Sequence, residues 1–496
     1  MSSIPPTKPI ASATATASAN SYNRFLIGIA GLGGMLYGAD IGIFAAALLY
    51  VGPALHLSDA QVSSIAAAVF AGSTVSSFVA GFVADWIGRK TTLILGALLF
   101  VISTGMIVVA QGFAPLLAGR LLQGIASGIF AVVVPLILAE SLSPETRGRG
   151  TAVFQFMLTV GIVLAAAVGV VYTSHAEAAI HTASGNKALI LAAQHHAWRG
   201  MFLACVYPAL LLLAGAFFVS ETPRWLFRKG RRDAALASLR RSSTEDAAQL
   251  QMREMEATQV GDAKSLAESD GASAPSGSLF QRKFVVPFVL ACVVLTCNQT
   301  TGINSILTFL VKILQRAGMD AVQATHGDVA VKLLNVVMTL AGVALVDKMG
   351  RRWLLKLGTG GLVAALAMGA AVLFAIEHRL LMPSANTGWL MAGSLALFIS
   401  SFAIGPGVVV WLVLSELMPT RIRSAGMGTA LLLNQGTSTL IAGLFLPVTG
   451  RYGYWAMFLF WTVCTVVYFL TATLFMPETS GKTLEEIEQH FEGKAA

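Results

Sequence analysis

Twelve long apolar runs constrain this chain more than any other feature of its sequence. Each run reaches about 20 residues, the length that a helix needs to cross a hydrocarbon core of about 30 Å. Only 12% of the residues are charged, about half the fraction in soluble domains, and the mean hydropathy is +0.73. Membrane barrels are built instead from alternating strands of about ten residues. The sequence therefore predicts an all-α membrane protein with twelve transmembrane helices.

The apolar runs form two groups of six, separated by a long polar stretch. The predicted spans are 24–50, 61–84, 91–110, 113–139, 151–173 and 200–219, followed by 284–311, 329–347, 353–376, 389–414, 425–447 and 454–475. The predicted domains are a disordered cytoplasmic tail over 1–23, an N-terminal six-helix bundle over 24–220, a cytoplasmic linker with short amphipathic helices over 221–283, a C-terminal six-helix bundle over 284–476 and a cytoplasmic tail over 477–496. The first tail lacks the apolar core of a cleaved signal.

The distribution of Lys and Arg predicts the orientation of the chain. Most of the 33 basic residues lie in the two tails, in the linker and in the connections that follow the second, fourth, eighth and tenth spans. Because cytoplasmic loops collect Lys and Arg, both termini are expected in the cytoplasm, with the protein in the plasma (inner) membrane. The net charge of +8 then reflects topology, and no nucleic-acid partner is expected.

Metal, disulfide and enzymatic chemistry are not expected. The four cysteines lie inside apolar segments, without the C-x2-C spacing of metal sites, at Cys205, Cys292, Cys297 and Cys464. The predicted external loop 174–197 carries His175, His181, His195 and His196 without acidic or Cys partners at ligand spacing. A solvated loop is expected there, with a metal site as the alternative. No G-x-S-x-G, H-E-x-x-H or P-loop pattern occurs, and no cofactor is expected.

One carboxylate interrupts the first apolar run. Asp40 ends the stretch GGMLYGAD, and an ionised group at bilayer depth is unfavourable unless it is paired or lines a water-filled path. At helical spacing Gly34, Gly38 and Gly42 form a stripe that allows a neighbouring helix to pack closely, and Asp40 lies on another side. Asp40 is therefore predicted to be functional. The alternative is a packing helix whose Asp only caps a neighbour.

Charged motifs recur in the same order in the two halves. D-W-I-G-R-K at 85–90 matches D-K-M-G-R-R at 347–352, a Glu-to-Arg motif at 140–147 matches one at 416–423, and Pro/Glu/Thr signatures close the halves at 221–224 and 477–479. Three ordered matches predict two related six-helix halves.

The recurring charges lie at the predicted cytoplasmic ends of helices. They are Asp85, Arg89, Glu140, Arg147 and Glu221 in the first half and Asp347, Arg351, Glu416, Arg423 and Glu478 in the second. Ion pairs at the seam between two rocking bundles can hold one side shut and separate when it opens. We therefore predict a cytoplasmic gate. The alternative is solvated charge that only fixes the topology.

Together these motifs resemble the sugar porter branch of the major facilitator superfamily, over nearly the whole chain from Gly33 to Ile487. The matching motifs are GGxxxGxD, D-x-x-G-R-[RK] in both halves, E-x(6)-RG at 140–148, ETPRWL at 221–226, Q-x-x-G-I-N at 299–304, GPG at 405–407 with Trp411, and PETSGKTLEEIE from 477. The resemblance implies a twelve-helix alternating-access transporter that binds its substrate near the midplane, between the halves.

The resemblance also implies the substrate contacts. They are Gln155, Gln299, Asn304, Asn335, Trp411, Asn434 and Gln435, with Asn298 at the position of the family's first glutamine in the seventh helix. Amides offer a neutral polyol paired donors and acceptors, and an aromatic plane covers a pyranose face. An unwound turn at Gly302 would let Gln299 and Asn304 face one cavity. Amides that merely bridge helices are the alternative for some of these residues.

Several positions depart from the family pattern and leave the identity of the sugar open. They are Asn298, Thr308, Phe309 and Ala403. Lys332 is also unusual, one helical turn before Asn335. An i,i+4 ion pair with Asp328 at the external end is expected, and attraction of an acidic substrate is the alternative.

Arg120, the only basic residue in the fourth span, is the natural counter-ion for Asp40. It shares a stripe with Gly124 and Gly128 that permits close approach of another helix. In the predicted cycle ionised Asp40 pairs with Arg120, protonation from outside breaks the pair and favours sugar binding, and proton release inside resets the protein. In the family a carboxylate at this position marks proton-coupled members.

The expected function is proton-coupled symport of a monosaccharide. The expected partners are the sugar, the proton and the lipid bilayer, and a monomer is expected. An uncoupled sugar or polyol facilitator is the alternative, followed by a non-transporting sugar sensor, a class that typically carries long cytoplasmic extensions.

Overall fold

The computed structural model describes residues 10–142, 144–269, 282–418 and 423–478, and the side chains within these ranges except those of 10–18, 144–149, 151, 258–269, 282–283, 347, 415 and 423–425. The helices of the first half are α1 (Ile10–Ala54), α2 (Asp59–Ile87), α3 (Arg89–Val109), α4 (Phe113–Ser141), α5 (Pro144–Thr182), α6 (Lys187–Ala204) and α7 (Val206–Phe218). The linker contains α8 (Pro223–Arg228), α9 (Arg232–Ser242) and α10 (Glu245–Ser269). The second half contains α11 (Arg282–Thr300), α12 (Ile303–Arg316), α13 (Ala321–Met349), α14 (Arg351–Glu377), α15 (Ala385–Ile404), α16 (Pro406–Leu417), α17 (Arg423–Tyr452) and α18 (Tyr454–Leu474).

Twelve helical segments of the described chain are long and apolar enough to cross a membrane, which confirms the predicted all-α membrane protein. Three of these spans consist of two consecutive helices: α6 with α7, α11 with α12, and α15 with α16. Large apolar side chains such as Trp86 and Phe218 remain 77% and 70% exposed. This exposure is expected of surfaces in contact with lipid rather than water.

The seventh span breaks at Gly302, as the sequence predicted. Gly302 has a φ of +82° and lies directly before α12, and a Cβ at this residue would collide with the ring of Trp461. Both the left-handed backbone and the lack of space favour glycine. The break separates Gln299 on α11 from Asn304 on α12 and allows them to approach each other.

The predicted disordered tail over 1–23 is wrong from residue 10 onward, because α1 begins at Ile10. The segment is rich in Ala, the strongest helix former. Residues at the end of this segment are also held by the end of the first bundle and by the linker. The Ser220 amide donates to the Tyr22 hydroxyl over 2.9 Å, and Asn23 donates to the Ser242 carbonyl over 2.9 Å. Residues 1–9 and 479–496, including most of the predicted C-terminal tail, lie outside the described residues.

The predicted solvated loop over 174–197 is mostly helical. Helix α5 continues to Thr182 and α6 begins at Lys187. The Asn186 side chain caps α6 by accepting from the amide of Ala188 over 3.0 Å, which satisfies a free donor at the helix start. Among the described residues no group of three or more His, Cys, Asp or Glu is placed to hold a metal ion.

Within the predicted linker the structure forms two short helices, α8 and α9, followed by the longer α10, which continues to Ser269. Leu226 and Phe227 of α8 bury Ala235 of α9. Arg240 donates to Glu245 over 2.7 Å at the start of α10, and this hydrogen bond lowers the pKa of the Glu245 carboxyl. Residues 270–281, the rest of the predicted linker, lie outside the described residues.

Glycines determine how closely the first-half helices pack. A Cβ at Gly42 would lie 2.6 Å from the Ile162 carbonyl oxygen of α5. Gly34 and Gly38 approach the α5 backbone more closely still, so the predicted stripe packs α1 against α5 and leaves Asp40 on another side. On α4, Gly124 approaches the backbone of α2 in the same way.

A helix corner recurs in both halves and supports their predicted relationship. Gly88 joins α2 to α3 with a φ of +101°, and Gly350 joins α13 to α14 with a φ of +83°. At each corner a glutamate, Glu221 or Glu478, occupies the space that a glycine Cβ would fill. We call the end of the bundle with these two corners the charged end and the other the opposite end.

Candidate functional site

The structure brings Asp40 and Arg120 together in the interior of the first half. Arg120 Nη1 lies 2.7 Å from Asp40 Oδ1, and the two residues are 2% exposed or less. A carboxylate and a guanidinium in direct contact keep both charges tolerable at this depth. The pair joins α1 to α4 because α1 packs against α5 by its glycines and turns Asp40 toward α4.

Two further side chains of α4 form hydrogen bonds with this pair. Gln123 Oε1 accepts from Arg120 Nη1 over 2.8 Å, and the Ser127 hydroxyl donates to Asp40 Oδ2 over 2.8 Å. Both residues are fully buried. Arg120, Gln123 and Ser127 share one face of α4, since they are three and four residues apart.

Aromatic rings cover the guanidinium. Its central carbon lies 4.6 Å from the ring centre of Phe44 and 5.5 Å from that of Phe202. The π-faces of these rings attract a cation and exclude water. Arg120 therefore has partners besides Asp40, which matters for any step in which Asp40 loses its charge.

Three of the predicted substrate amides form one network between α11, α12 and α17. Gln299 donates to Asn434 over 3.2 Å, and Asn304 donates to Gln299 Oε1 over 3.0 Å. Asn304 also donates to Ser438 over 2.8 Å, and Asn434 donates to the Leu295 carbonyl over 2.9 Å. The helix break at Gly302 makes this arrangement possible.

The other predicted substrate residues lie outside that network. Gln155 is exposed and Asn335 is half-buried, Trp411 is 45% exposed and Asn298 is 2% exposed. Among the described residues no hydrogen bond joins these four to the amides of the network. Gln435 is half-buried and lies near Tyr37 of α1.

Tyr37 connects the amide region to the helix of the charge pair. It lies one helical turn before Asp40 on α1, near Ser73 of α2 and Gln435 of α17. A rearrangement of the amides on α17 can therefore reach α1 within one turn of Asp40.

Arg89 organises the predicted gate residues of the first half. Arg89 Nη2 lies 2.6 Å from Asp85 and 3.0 Å from Glu140. Its backbone amide donates to Glu221 over 2.9 Å, so Glu221 caps the start of α3, where the helix dipole favours an anion. Arg228 of α8 adds a second cation, 3.3 Å from Asp85.

The second half repeats this pattern. Arg351 Nη2 lies 3.4 Å from Glu416, and the Arg351 amide donates to Glu478 over 2.9 Å, so Glu478 caps α14 as Glu221 caps α3. The side chains of Arg147, Asp347 and Arg423 lie outside the described residues.

The described ion pairs of the predicted gate differ from the expected arrangement at the seam. Each joins partners of the same half. The reason is local: the tight corners at Gly88 and Gly350 place each arginine beside the helix ends of its own bundle. These pairs therefore brace the ends of helices within a bundle.

The described polar contacts between the bundles lie from the middle of the molecule toward the opposite end. The Leu446 amide donates to Ser63 over 3.0 Å. Lys312 Nζ lies 3.7 Å from Asp59.

Lys332 forms the expected ion pair with Asp328, at 2.7 Å. Lys332 and Asp328 are both fully buried, 0% and 1% exposed. Lys332 Nζ also donates to the Gly42 carbonyl of α1 over 3.1 Å. The residue therefore links the two bundles.

The sequence interpretation missed Gln123, Ser127, Ser438 and Arg228. A signal was available for the first two, because polar residues at i+3 and i+7 from Arg120 in an otherwise apolar span share its face. Ser438 resembles any small helix-packing residue, and Arg228 resembles any cytoplasmic cation. Only the folded arrangement distinguishes these two.

Comparison with known proteins places the chain among transporters. Residues 26–491 match the family model described as "Sugar (and other) transporter". The chain is 30% identical over 472 residues to the glucose transporter GlcP of Staphylococcus epidermidis, with 95% of this chain and 97% of that protein covered. It is 29% identical over 469 residues to the galactose-proton symporter of Escherichia coli, with 94% of each covered.

A solved structure shares the fold. The inward open conformation of the xylose transporter XylE from Escherichia coli matches with a TM-score of 0.74 and 23% identity, covering 95% of this chain and 100% of that one. This likeness confirms the predicted fold of two six-helix bundles.

Proposed function

The chain belongs to the sugar porter family of the major facilitator superfamily, and we propose that it is a symporter that carries one monosaccharide together with a proton. The observation that supports this function most strongly is the buried Asp40–Arg120 pair, with 2.7 Å between its atoms. A facilitator that moves only a neutral sugar does not require a buried carboxylate in its first helix, whereas a proton-driven transporter requires a group that changes charge.

In the proposed cycle Asp40 takes a proton from the outside and loses its ionic bond to Arg120. Helix α1 is then free to move relative to α4, and the bundles can rearrange around the bound sugar. On the inside the proton leaves and the pair forms again. Tyr37 is placed to relate the two events, because it lies between the amide region and Asp40.

The available driving force is sufficient for accumulation. One proton crossing 100 mV supplies about 2.3 kcal/mol, and each 1.36 kcal/mol corresponds to about a factor of ten. The membrane potential alone would therefore support roughly fifty-fold accumulation of the sugar.

The proposed substrate site consists of the amide network of Gln299, Asn304 and Asn434, with Gln155, Asn298, Asn335, Trp411 and Gln435 as further contacts. Amide donors and acceptors suit sugar hydroxyls, and Trp411 offers an aromatic plane. The relatives named above transport glucose, galactose and xylose by their names, so these three sugars are the first to test.

We propose that the charged end faces the cytoplasm, as the distribution of Lys and Arg indicates. The contacts at the opposite end, Ser63 with Leu446 and Asp59 with Lys312, then close the outside. We further propose a monomer in the plasma (inner) membrane, with ion pairs at the charged end that stabilise each bundle during the change of state.

Replacement of Asp40 tests the coupling. Purified protein in proteoliposomes, with an imposed inward proton gradient, is expected to accumulate one of radiolabelled D-glucose, D-galactose or D-xylose. Asp40→Asn is expected to abolish accumulation and to retain sugar exchange across equal pH, because the uncharged residue cannot release a proton. Asp233→Asn on the exposed face of α9 is the matched control and should accumulate sugar like the wild type.

Two results would contradict the proposal. Full accumulation by Asp40→Asn would remove Asp40 from the coupling. Wild-type exchange without any accumulation, insensitive to a protonophore, would identify an uncoupled facilitator.

A further inference from the structure

Helix α4 carries two buried polar residues that the pairing of Asp40 with Arg120 does not itself require. Gln123 and Ser127 are both 0% exposed, and each contacts a different member of the pair. Apolar side chains would fill these positions at less expense of desolvation, because every buried polar group must find a partner. We therefore ask how these two side chains affect the protonation of Asp40.

We propose that Gln123 and Ser127 are positioning residues that set, in opposite directions, the external pH at which Asp40 exchanges its proton. This inference rests on the proposed function, since it assumes that Asp40 carries the transported proton. Gln123 favours the state in which Asp40 is protonated, and Ser127 favours the state in which it is ionised.

Gln123 acts through Arg120. One nitrogen, Nη1, donates both to Asp40 at 2.7 Å and to Gln123 at 2.8 Å. When Asp40 becomes neutral the guanidinium keeps the Gln123 oxygen as an acceptor, besides the rings of Phe44 and Phe202. A buried cation without any acceptor is highly unfavourable. Gln123 therefore stabilises the protonated state of Asp40 more than the paired state.

Ser127 acts on the carboxylate. Its hydroxyl donates to Oδ2, the oxygen that Arg120 leaves free. A hydrogen bond to a charged acceptor is stronger than one to a neutral carboxylic acid. Ser127 therefore stabilises ionised Asp40 and opposes its protonation.

The other titratable groups near the pair do not produce these opposite effects on the protonation of Asp40. Cys205, between α6 and α7, faces both Asp40 and Arg120, and Tyr37 faces Asp40 from the preceding turn of α1. Cys205 is buried and Tyr37 is half-buried, and both are uncharged groups at physiological pH. Among the described residues the direct hydrogen bonds to the pair come from α4 alone.

The test measures uphill sugar uptake into proteoliposomes as a function of external pH, with internal pH held constant. It uses the sugar that the wild type accumulates most strongly among D-glucose, D-galactose and D-xylose. Gln123→Met removes the acceptor at similar volume and is expected to move the half-maximal pH down by about one unit, the size of one hydrogen bond to a charged group. Ser127→Ala is expected to move it up by about half a unit to one unit.

Matched controls separate this role from packing. Leu116→Met changes a fully buried residue of the same helix at similar volume, and Ser103→Ala removes a fully buried hydroxyl of α3. Neither should move the pH profile. Sugar exchange at equal pH, which needs no net proton movement, reports whether each variant is folded and binds sugar.

The outcomes are distinguishable. Opposite shifts in Gln123→Met and Ser127→Ala support the inference. If the wild type is proton-coupled and both variants exchange sugar but keep the wild-type pH profile, or shift in the same direction, the inference is overturned while the proposed function stands. If the wild type shows no proton-driven uptake, the proposed function itself fails.

Discussion

At the scale of single residues, glycine decides where the charged residues of this protein can lie. Gly38 faces the Leu158 carbonyl of α5 so closely that no side chain fits between the two helices. This contact fixes α1 against α5, and Asp40 then reaches Arg120 on α4. The charge pair therefore depends on a residue that has no charge.

Gly38→Ala is expected to lower the stability of the protein by about 2 kcal/mol or more, because the added methyl group collides with rigid backbone. Proton-driven uptake should fall as well, since a displaced α1 carries Asp40 away from Arg120. Thermal unfolding in detergent and proteoliposome uptake measure the two effects.

Gly28→Ala on the same helix is the control for this prediction. A Cβ at Gly28 meets nothing within 4 Å, so alanine there should stabilise the helix by about 0.5 to 1 kcal/mol. Equal behaviour of the two variants would show that close packing of α1 on α5 is not required.

At the scale of helices, α13 contributes a second buried ion pair that joins the two bundles. Asp328 and Lys332 lie one turn apart, and the lysine ammonium also bonds to the Gly42 carbonyl of α1. A buried pair gives little net stability, but loss of one partner leaves the other charge uncompensated. The contact can exist only while α1 and α13 are together.

Lys332→Met is expected to destabilise the protein by about 3 to 5 kcal/mol, since Asp328 would keep a buried charge without its cation. The double variant Asp328→Asn with Lys332→Met should recover most of this loss, because no charge remains. It should still lack the bond to Gly42, so it should populate the outward-open state more than the wild type.

Thermal unfolding and the rate of sugar uptake at low external concentration measure these effects. Lys312→Met serves as the comparison, because the Lys312–Asp59 pair is longer and more exposed and exposed pairs contribute only about 0 to 1 kcal/mol. A destabilisation by Lys312→Met as large as that by Lys332→Met would contradict this account.

At the scale of the whole molecule, the described polar contacts between the bundles and the described ion pairs within each bundle lie toward different ends. The contact of Asp59 with Lys312 bridges the bundles at the opposite end, whereas the described gate pairs stay within a bundle. Transport by alternating access requires the bridging contacts to separate once in each cycle.

A cross-link between cysteines introduced at Asp59 and Lys312 is therefore expected to stop uptake. A short bifunctional thiosulfonate reagent can span the two positions, and a reducing agent should restore the rate. The single-cysteine variants, treated in the same way, control for reaction at the four native cysteines. Undiminished uptake by the fully cross-linked protein would show that these ends do not part during transport.

Much of this architecture could be predicted from the sequence, because few backbone structures can span a bilayer. Twelve apolar runs predict twelve spans, and a lone carboxylate in one run predicts a lone cation in another, as Asp40 and Arg120 are found. The helix break at Gly302 followed from a glycine between two polar residues that need a common cavity.

Other features depend on tertiary contacts that no local pattern reveals. The first turns of α1 looked like a polar tail, and they are helical and held through Tyr22 and Asn23. Lys332 matched its predicted partner, but its burial and its bond to Gly42 require two distant helices to meet. The gate charges were assigned to the seam because spacing alone does not indicate which bundle supplies the partner.

The capping glutamates have a consequence for how the protein is made. Glu221 closes the corner at Gly88, and Glu478 closes the corner at Gly350, so each bundle is completed by a residue that follows its own last helix. Synthesis proceeds from the N-terminus and domains fold as units. The first bundle can therefore finish its corner before the second has emerged from the ribosome, whereas the second remains incomplete until Glu478 has been translated.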